Sequence, residues 1–222
     1  MSGMRETMWS IEESWWDRGD RHLAGLDEVG RGPLVGAVVA ACVVLPGPDH
    51  PSFEATKERL VGLTDSKKLS EARREHFAAV VKEVALAWAI AECSPEEIDH
   101  LNILSASHEA MARALRRVRK TLKPDRLLVD GHMAIRGIRA KQEPLVKGDA
   151  RSMSIAAAAV IAKVHRDAQM IALHRRYPAY GFDRHKGYPT GEHLAAIAEH
   201  GLIPEHRRSF GPCRDQQLRL WP

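Results

Sequence analysis

Cysteine is scarce in this chain: Cys42, Cys93 and Cys213 are its three among 222 residues, and they lie far apart with no CxxC pair. An odd, scattered set makes neither a disulfide framework nor zinc-ligand spacing, so a reducing, cytoplasmic setting is expected. Long apolar runs are missing too. The longest, from Leu34 to Leu45, is well short of the roughly 20 residues that cross a bilayer as a helix, so no membrane partner is expected. The opening MSGMRETMWSIEESWWDRGD mixes acids, bases and tryptophans, with no continuous apolar stretch of the kind a secretion signal needs. There are no internal repeats, no Walker loop and no Ser-His-Asp order. Composition also excludes collagen, coiled coil and low-complexity disorder.

What the chain does have is material for one compact body. At 44% hydrophobic residues, a chain of this length buries roughly 70% of the surface its unfolded form exposes and needs no disulfide or structural metal. The net charge of +4, from 33 Lys and Arg against 29 Asp and Glu, is mild but unevenly placed. Arg113, Arg116, Arg117, Arg119, Lys120, Lys123 and Arg126 crowd one segment, and Arg207, Arg208, Arg214 and Arg219 crowd the end. Such clusters suit a polyanion, or equally a solvated helix face balanced by acids elsewhere.

Residues 1–20 read as an extension whose Trp9, Trp15 and Trp16 dock on the body, since exposed indoles are costly in water. HLAGLDEV predicts a strand, GRGP a turn, and LVGAVVAACVVL a Val-rich strand buried on both faces. Ser70 predicts the cap of a helix over EARREHFAAVVKEV, where Phe77, Val80, Val81 and Val84 recur at helical spacing. ALAWAIAEC predicts a further strand and Pro95 a break. ASHEAMARALRRVRK then predicts a helix with Met111, Leu115 and Val118 on one face. RLLVDG and EPLVKGD predict short strands, MSIAAAAVIAKVHRDAQMIALHRR a long helix, and Thr190 to Gly201 another. Strands that first run together and then alternate with helices imply an α/β fold: a mixed sheet flanked by helices, with no internal linker.

Four acids share one placement, at the ends of apolar strands: Asp27 with Glu28 after HLAGL, Asp130 after RLLV, and Asp149 after EPLVKG. Turns favour acids, which is the plain reading. If the four converge, however, they repel, and the natural compensation is a hard divalent cation such as Mg²⁺. Gly30-Arg31-Gly32 lets backbone N–H groups approach a ligand closely, or simply makes a tight turn. TDSKKLS puts Ser66, Lys67 and Lys68 at a helix entrance suited to phosphate, where an ordinary cap would serve as well. In YGFDRHKGYPT, aromatic rings with basic neighbours suit sugar or base stacking, though Tyr188 could equally be a buried core residue.

Taken together, GLDEVGRGPLVGAVV, LTDSKKLS, LLVDG, VKGDARSMSIAAAAVIAKVHRD, YGFDRHKGYPT and HRRSF resemble bacterial ribonuclease HII, in order and across residues 22–212. The resemblance implies a ribonuclease H-like fold, a mixed five-stranded sheet flanked by helices with a C-terminal helical region. It implies a catalytic domain over residues 21–212 and a tail over 213–222. It implies an endoribonuclease that cuts the RNA strand of RNA/DNA hybrids and nicks duplex DNA 5′ to an embedded ribonucleotide, leaving 3′-hydroxyl and 5′-phosphate ends, in ribonucleotide removal during replication and repair. Asp27, Glu28, Asp130 and Asp149 match the family's metal-binding acids, for one or two Mg²⁺ or Mn²⁺ ions. Gly30, Arg31 and Gly32 match the turn that reads the ribose 2′-OH, and Tyr188, with Tyr180 second, the tyrosine on the adjoining sugar. Ser66, Lys67 and Lys68 fall where the family holds the nucleic-acid backbone. A monomer is expected.

The chain could be a type 3 ribonuclease H, a junction resolvase, or a nucleic-acid-binding scaffold without catalysis. A binder gains nothing from four acids facing a phosphodiester unless a metal lies between them. Gln217, Leu218, Arg219, Leu220 and Trp221 look like the short peptide that bacterial sliding clamps bind, or like an ordinary chain end.

Overall fold

The computed structural model describes residues 7–219. Its helices are α1 (Ser10–Trp16), α2 (Phe53–Arg59), α3 (Glu71–Val84), α4 (Pro95–Leu101), α5 (Ile103–Val118), α6 (Met153–Arg176), α7 (Phe182–His185), α8 (Gly191–His200) and α9 (Gly211–Arg219). Its strands are β1 (Leu23–Val29), β2 (Val38–Val44), β3 (Ala87–Cys93), β4 (Arg126–Asp130) and β5 (Lys141–Leu145), in the spatial order β3-β2-β1-β4-β5. β1 pairs antiparallel with β2 and parallel with β4, so it is the hinge between a meander and a crossover half. This is the mixed five-stranded sheet expected of the ribonuclease H-like α/β class.

Each face of the sheet is covered by helices whose residues suit the contact. α6 lies against β1 along Ala156, Ala157, Ala158 and Val160, all buried. Small side chains permit that closeness, and Gly25 requires it: a Cβ there would lie 2.1 Å from the backbone carbon of Ser154. α5 covers the other face with Met111, Leu115 and Val118. A third cluster, including Leu34, Val35, Met170, Phe182 and Ile197, joins the C-terminal helices to the loop that follows β1.

Several local expectations change. The run from Leu34 to Leu45 divides at Gly36, whose φ of +80° turns the chain, and only Val38–Val44 is strand. The break at Pro95 is there, since β3 ends at Cys93, but Pro95 also opens a helix: it takes the first position of α4, behind a reciprocal Ser94–Glu97 capping box. β5 is Lys141–Leu145, so VKGD lies beyond it. α1 and α2 were not anticipated. Trp9 and Trp16 are buried against Phe53 of α2, with ring centroids 5.7 and 5.3 Å away. Ser70 does cap α3, accepting from the Arg73 N–H. Among the described residues no helix is long and apolar enough to cross a membrane.

Candidate functional site

Parallel strands β1 and β4 lie side by side and end together, in register as far as Leu26 opposite Val129. The crevice outside such strand ends is where side chains from different elements can meet. Asp27 and Glu28 are the two residues before the last of β1, and Asp130 is the last residue of β4. Asp149 is not at a strand end: it lies on a single 3₁₀ turn, Gly148–Ala150, between β5 and α6. That turn is fastened to β4, because Asp130 Oδ1 accepts the Gly148 N–H at 2.7 Å. All four acids line one cavity of about 470 Å³.

Asp27 and Asp149 are buried, while Glu28 and Asp130 are half-buried. Burial, followed by the charges of Glu28, Asp130 and Asp149, pushes the Asp27 carboxyl well above the usual range. Burial raises Glu28 as well, opposed by Arg31, which donates to Glu28 Oε1 at 3.1 Å. Asp149 is raised by burial and then by Asp130 and Asp65. Asp27, Glu28 and Asp149 thus hold protons more tightly than free carboxylates, as crowded like charges with too little countercharge must. The donor set is all oxygen, which suits a hard divalent cation and not zinc or copper. Among the described residues no three side chains stand as a ready-made metal cluster. Three of the acids are turned to protein donors: Asp130 to Gly148, Glu28 to Arg31, and Asp27 to the Glu28 N–H at 2.7 Å.

Gly30, Arg31 and Gly32 line the same cavity. Gly30 has a φ of +92°, and a Cβ on it would lie 2.2 Å from Arg166 Nε, so glycine is required there twice over. The ring of Tyr188 faces this loop, with Cε1 3.3 Å from where a Cβ on Gly32 would be, and the residue is 45% exposed. It is therefore available to a ligand. Tyr180, the second candidate, is not: it is buried, stacked on Phe182 at 5.3 Å, and its hydroxyl donates to the Gly201 carbonyl at 2.8 Å. Ser66 and Lys67 line the cavity, whereas Lys68 is exposed and is not among the lining residues. Partial burial works against the Lys67 charge, but Asp149, Asp27, Asp65 and Asp130 outweigh it and hold the ammonium above its ordinary range.

Residues that the sequence reading passed over also reach the site. Arg74 and Lys163 line the cavity from α3 and α6. Both face the buried Asp167, Lys163 Nζ at 2.6 Å and Arg74 Nη2 at 3.9 Å. The spacing of Lys163 and Asp167 on one helix was a legible signal, but which face of α6 meets the acids was not. Asp65 accepts the Lys67 N–H at 2.9 Å and adds a further acid beside Asp149.

A family model described as Ribonuclease HII matches residues 24–213. The chain is 54% identical over 196 residues to the ribonuclease HII of Chromohalobacter salexigens, covering 88% of this chain and 92% of that one. Its fold is similar to ribonuclease H2 from Pyrococcus horikoshii, at a TM-score of 0.72 and 26% identity over 89% of this chain and 98% of that one. It is also similar to the RNase HII of a PCNA:RNase HII complex from Archaeoglobus fulgidus, at a TM-score of 0.68 and 25% identity over 86% and 95%.

Proposed function

We propose, because this chain belongs to the ribonuclease HII family of RNA-cleaving hydrolases, that it nicks duplex DNA 5′ to an embedded ribonucleotide and cuts the RNA strand of RNA/DNA hybrids. The ends left are 3′-hydroxyl and 5′-phosphate, and the role is ribonucleotide removal during replication and repair. The observation that carries this reading is one cavity lined by Asp27, Glu28, Asp130 and Asp149 together with the Gly30–Gly32 loop and Tyr188. Acids for phosphodiester chemistry and a backbone loop for a sugar hydroxyl stand against the same ligand.

Bound among the four carboxylates, one or two Mg²⁺ or Mn²⁺ ions supply an activated water and offset charge on the phosphoryl group and the leaving oxygen. The protein's own residues do the rest. Asp27, Glu28, Asp130 and Asp149 would hold the cation through their carboxylate oxygens. N–H groups of the Gly30–Gly32 loop meet the 2′-OH, the one group that separates RNA from DNA at a site, so discrimination needs no base sequence. The exposed ring of Tyr188 packs on the neighbouring sugar. Ser66, Lys67, Arg74 and Lys163 hold backbone phosphates beside the acids, and the exposed Lys68 extends that surface. Affinity accordingly falls as salt is added, because binding releases counterions from the phosphates and that release is less favourable at higher salt.

The test is cleavage of a DNA duplex containing one ribonucleotide, with all-DNA and RNA/DNA controls, in Mg²⁺, Mn²⁺ and EDTA. A metal-dependent nick on the 5′ side of the ribonucleotide is expected. Cutting confined to long hybrids would favour the type 3 enzyme, and tight duplex binding without cutting the scaffold. A second partner is proposed through residues 217–221. The backbone of residues 217–219 is the last part of α9, but the side chains of Gln217, Leu218 and Arg219, and Leu220 and Trp221 entirely, lie outside the described residues. Deleting residues 216–222 should abolish binding to a sliding clamp while leaving nicking intact.

A further inference from the structure

The HRRSF segment, residues 206–210, is hydrogen-bonded to the loop that follows β1. Its Arg207 is fully buried, and none of its hydrogen bonds goes to an acid. The guanidinium instead donates to three backbone carbonyls: Nη2 to Gly30 at 2.6 Å, Nη1 to Arg31 at 3.0 Å and Nε to Gly36 at 2.9 Å. Arg166, also buried, does the same next to it, donating to the carbonyls of Val35, Ala37 and Lys186. Burying two neighbouring cations costs free energy that a Leu or Met here would not incur, so the fork geometry is what the position uses. The segment is itself tied to the loop, since Arg207 N–H donates to Leu34 O at 2.8 Å and Gly36 N–H to Glu205 O at 2.9 Å.

The consequence follows from the planar trans peptide. The C=O of one residue and the N–H of the next point in opposite directions across each bond, and the described residues contain no cis peptide. By drawing the carbonyls of Gly30 and Arg31 inward, Arg207 turns the N–H groups of Arg31 and Gly32 outward, on a loop that lines the cavity beside the acids. We propose that Arg207 is a positioning residue for ribonucleotide specificity: it never touches the substrate, but aims two backbone N–H groups at the sugar's 2′-hydroxyl. The inference rests on the reading of the Gly30–Gly32 loop given above.

The test compares affinities of an Asp130→Asn parent, in Mg²⁺, for a duplex with one ribonucleotide and for the same all-DNA duplex. Adding Arg207→Lys should cut the preference for the ribonucleotide about tenfold, the worth of one to two net hydrogen bonds, while all-DNA affinity, set by phosphate contacts, stays within about twofold. A purely structural Arg207 would lower both affinities together and leave their ratio unchanged, which overturns the proposal. A parent with no preference removes the 2′-OH reading itself and the proposal with it. Amide hydrogen exchange in the parent gives an answer even if the lysine variant does not fold. The Arg31 and Gly32 amides should exchange rapidly in the free protein and become protected by the ribonucleotide duplex but not by all-DNA. Protection in the free protein, or equal protection by both duplexes, overturns the proposal.

Discussion

His193 and His206 meet ring to ring, Nε2 to Nε2 at 3.2 Å, in the interior of the C-terminal lobe. Their other nitrogens fix the protons. His206 Nδ1 accepts the Ile203 N–H at 3.0 Å, so its proton is on Nε2; His193 Nδ1 faces the Tyr188 carbonyl at 3.0 Å, so its proton is on Nδ1. The result is a one-way chain from the Ile203 amide to the backbone of Tyr188, with room for no additional proton. Burial pushes both imidazoles down to about 4. Because the folded values lie below the unfolded value of roughly 6.5, the contribution of the pair is fully present above pH ~6.5 and is lost as the pH falls toward ~4. The melting temperature should therefore drop steeply between pH 6.5 and 4, measured by circular dichroism. His193→Gln, whose amide can still donate to Tyr188, should flatten that drop.

Asp130→Asn should keep the fold and the duplex affinity and lose cleavage by about a thousandfold or more, several kcal/mol of transition-state stabilisation. The reason it should fold is specific: the contact with Gly148 uses Oδ1 as an acceptor, a role an amide oxygen can fill. Equal cleavage by the variant in a gel assay would remove Asp130 from the mechanism.

Protons and the cation should compete for the same oxygens. Asp27, Glu28 and Asp149 all have carboxyl groups raised by burial and crowding. Each is therefore protonated at a higher pH than a free acid, and lowering the pH works against metal binding. The Mg²⁺ concentration for half-maximal cleavage should rise as the pH is lowered from 8 to 6. Metal titrations of activity at fixed pH would read this directly, and EDTA should stop cleavage at every pH.

Glu12→Ala should destabilise the whole domain by about 1–3 kcal/mol, the cost of orphaning buried donors. Glu12 Oε1 accepts from Ser152 Oγ at 2.6 Å and from the Ser154 N–H at 2.9 Å, which pins α1 to the start of α6, next to the Asp149 turn. Denaturant unfolding should show a lower midpoint in a single transition. Loss confined to a separate early transition would mean that α1 unfolds on its own.

Period and capping made most of the elements legible. Ser70, the alanines of α6 and the Val-rich β2 each carry their signal within a few residues. The four acids were picked out for a different reason: strand ends ordinarily carry acids for their turns, and it was the ordered motifs of the resemblance that singled these out. Asp149 was mistaken for a strand end because VKGD reads as a continuation of β5. In fact Lys147 adopts a left-handed conformation, φ +56°, and the chain turns through Gly148, where a side chain would meet Ile155 and Asp130. The break at Pro95 was legible but the helix α4 that it opens was not, because a proline that breaks one segment is equally suited to begin another.

By itself, then, the sequence determined the family, the sheet-and-helix alternation and the identity of the acids, because those are properties of short windows and of ordered motifs. Tertiary structure alone decided which side chains share a cavity and which hold the loop in place. Arg207 lies 177 positions from Gly30, and Ser152 lies 140 from Glu12. Contacts of that span leave no periodicity to read. They exist only once β1 lies between β2 and β4 and α6 crosses its face.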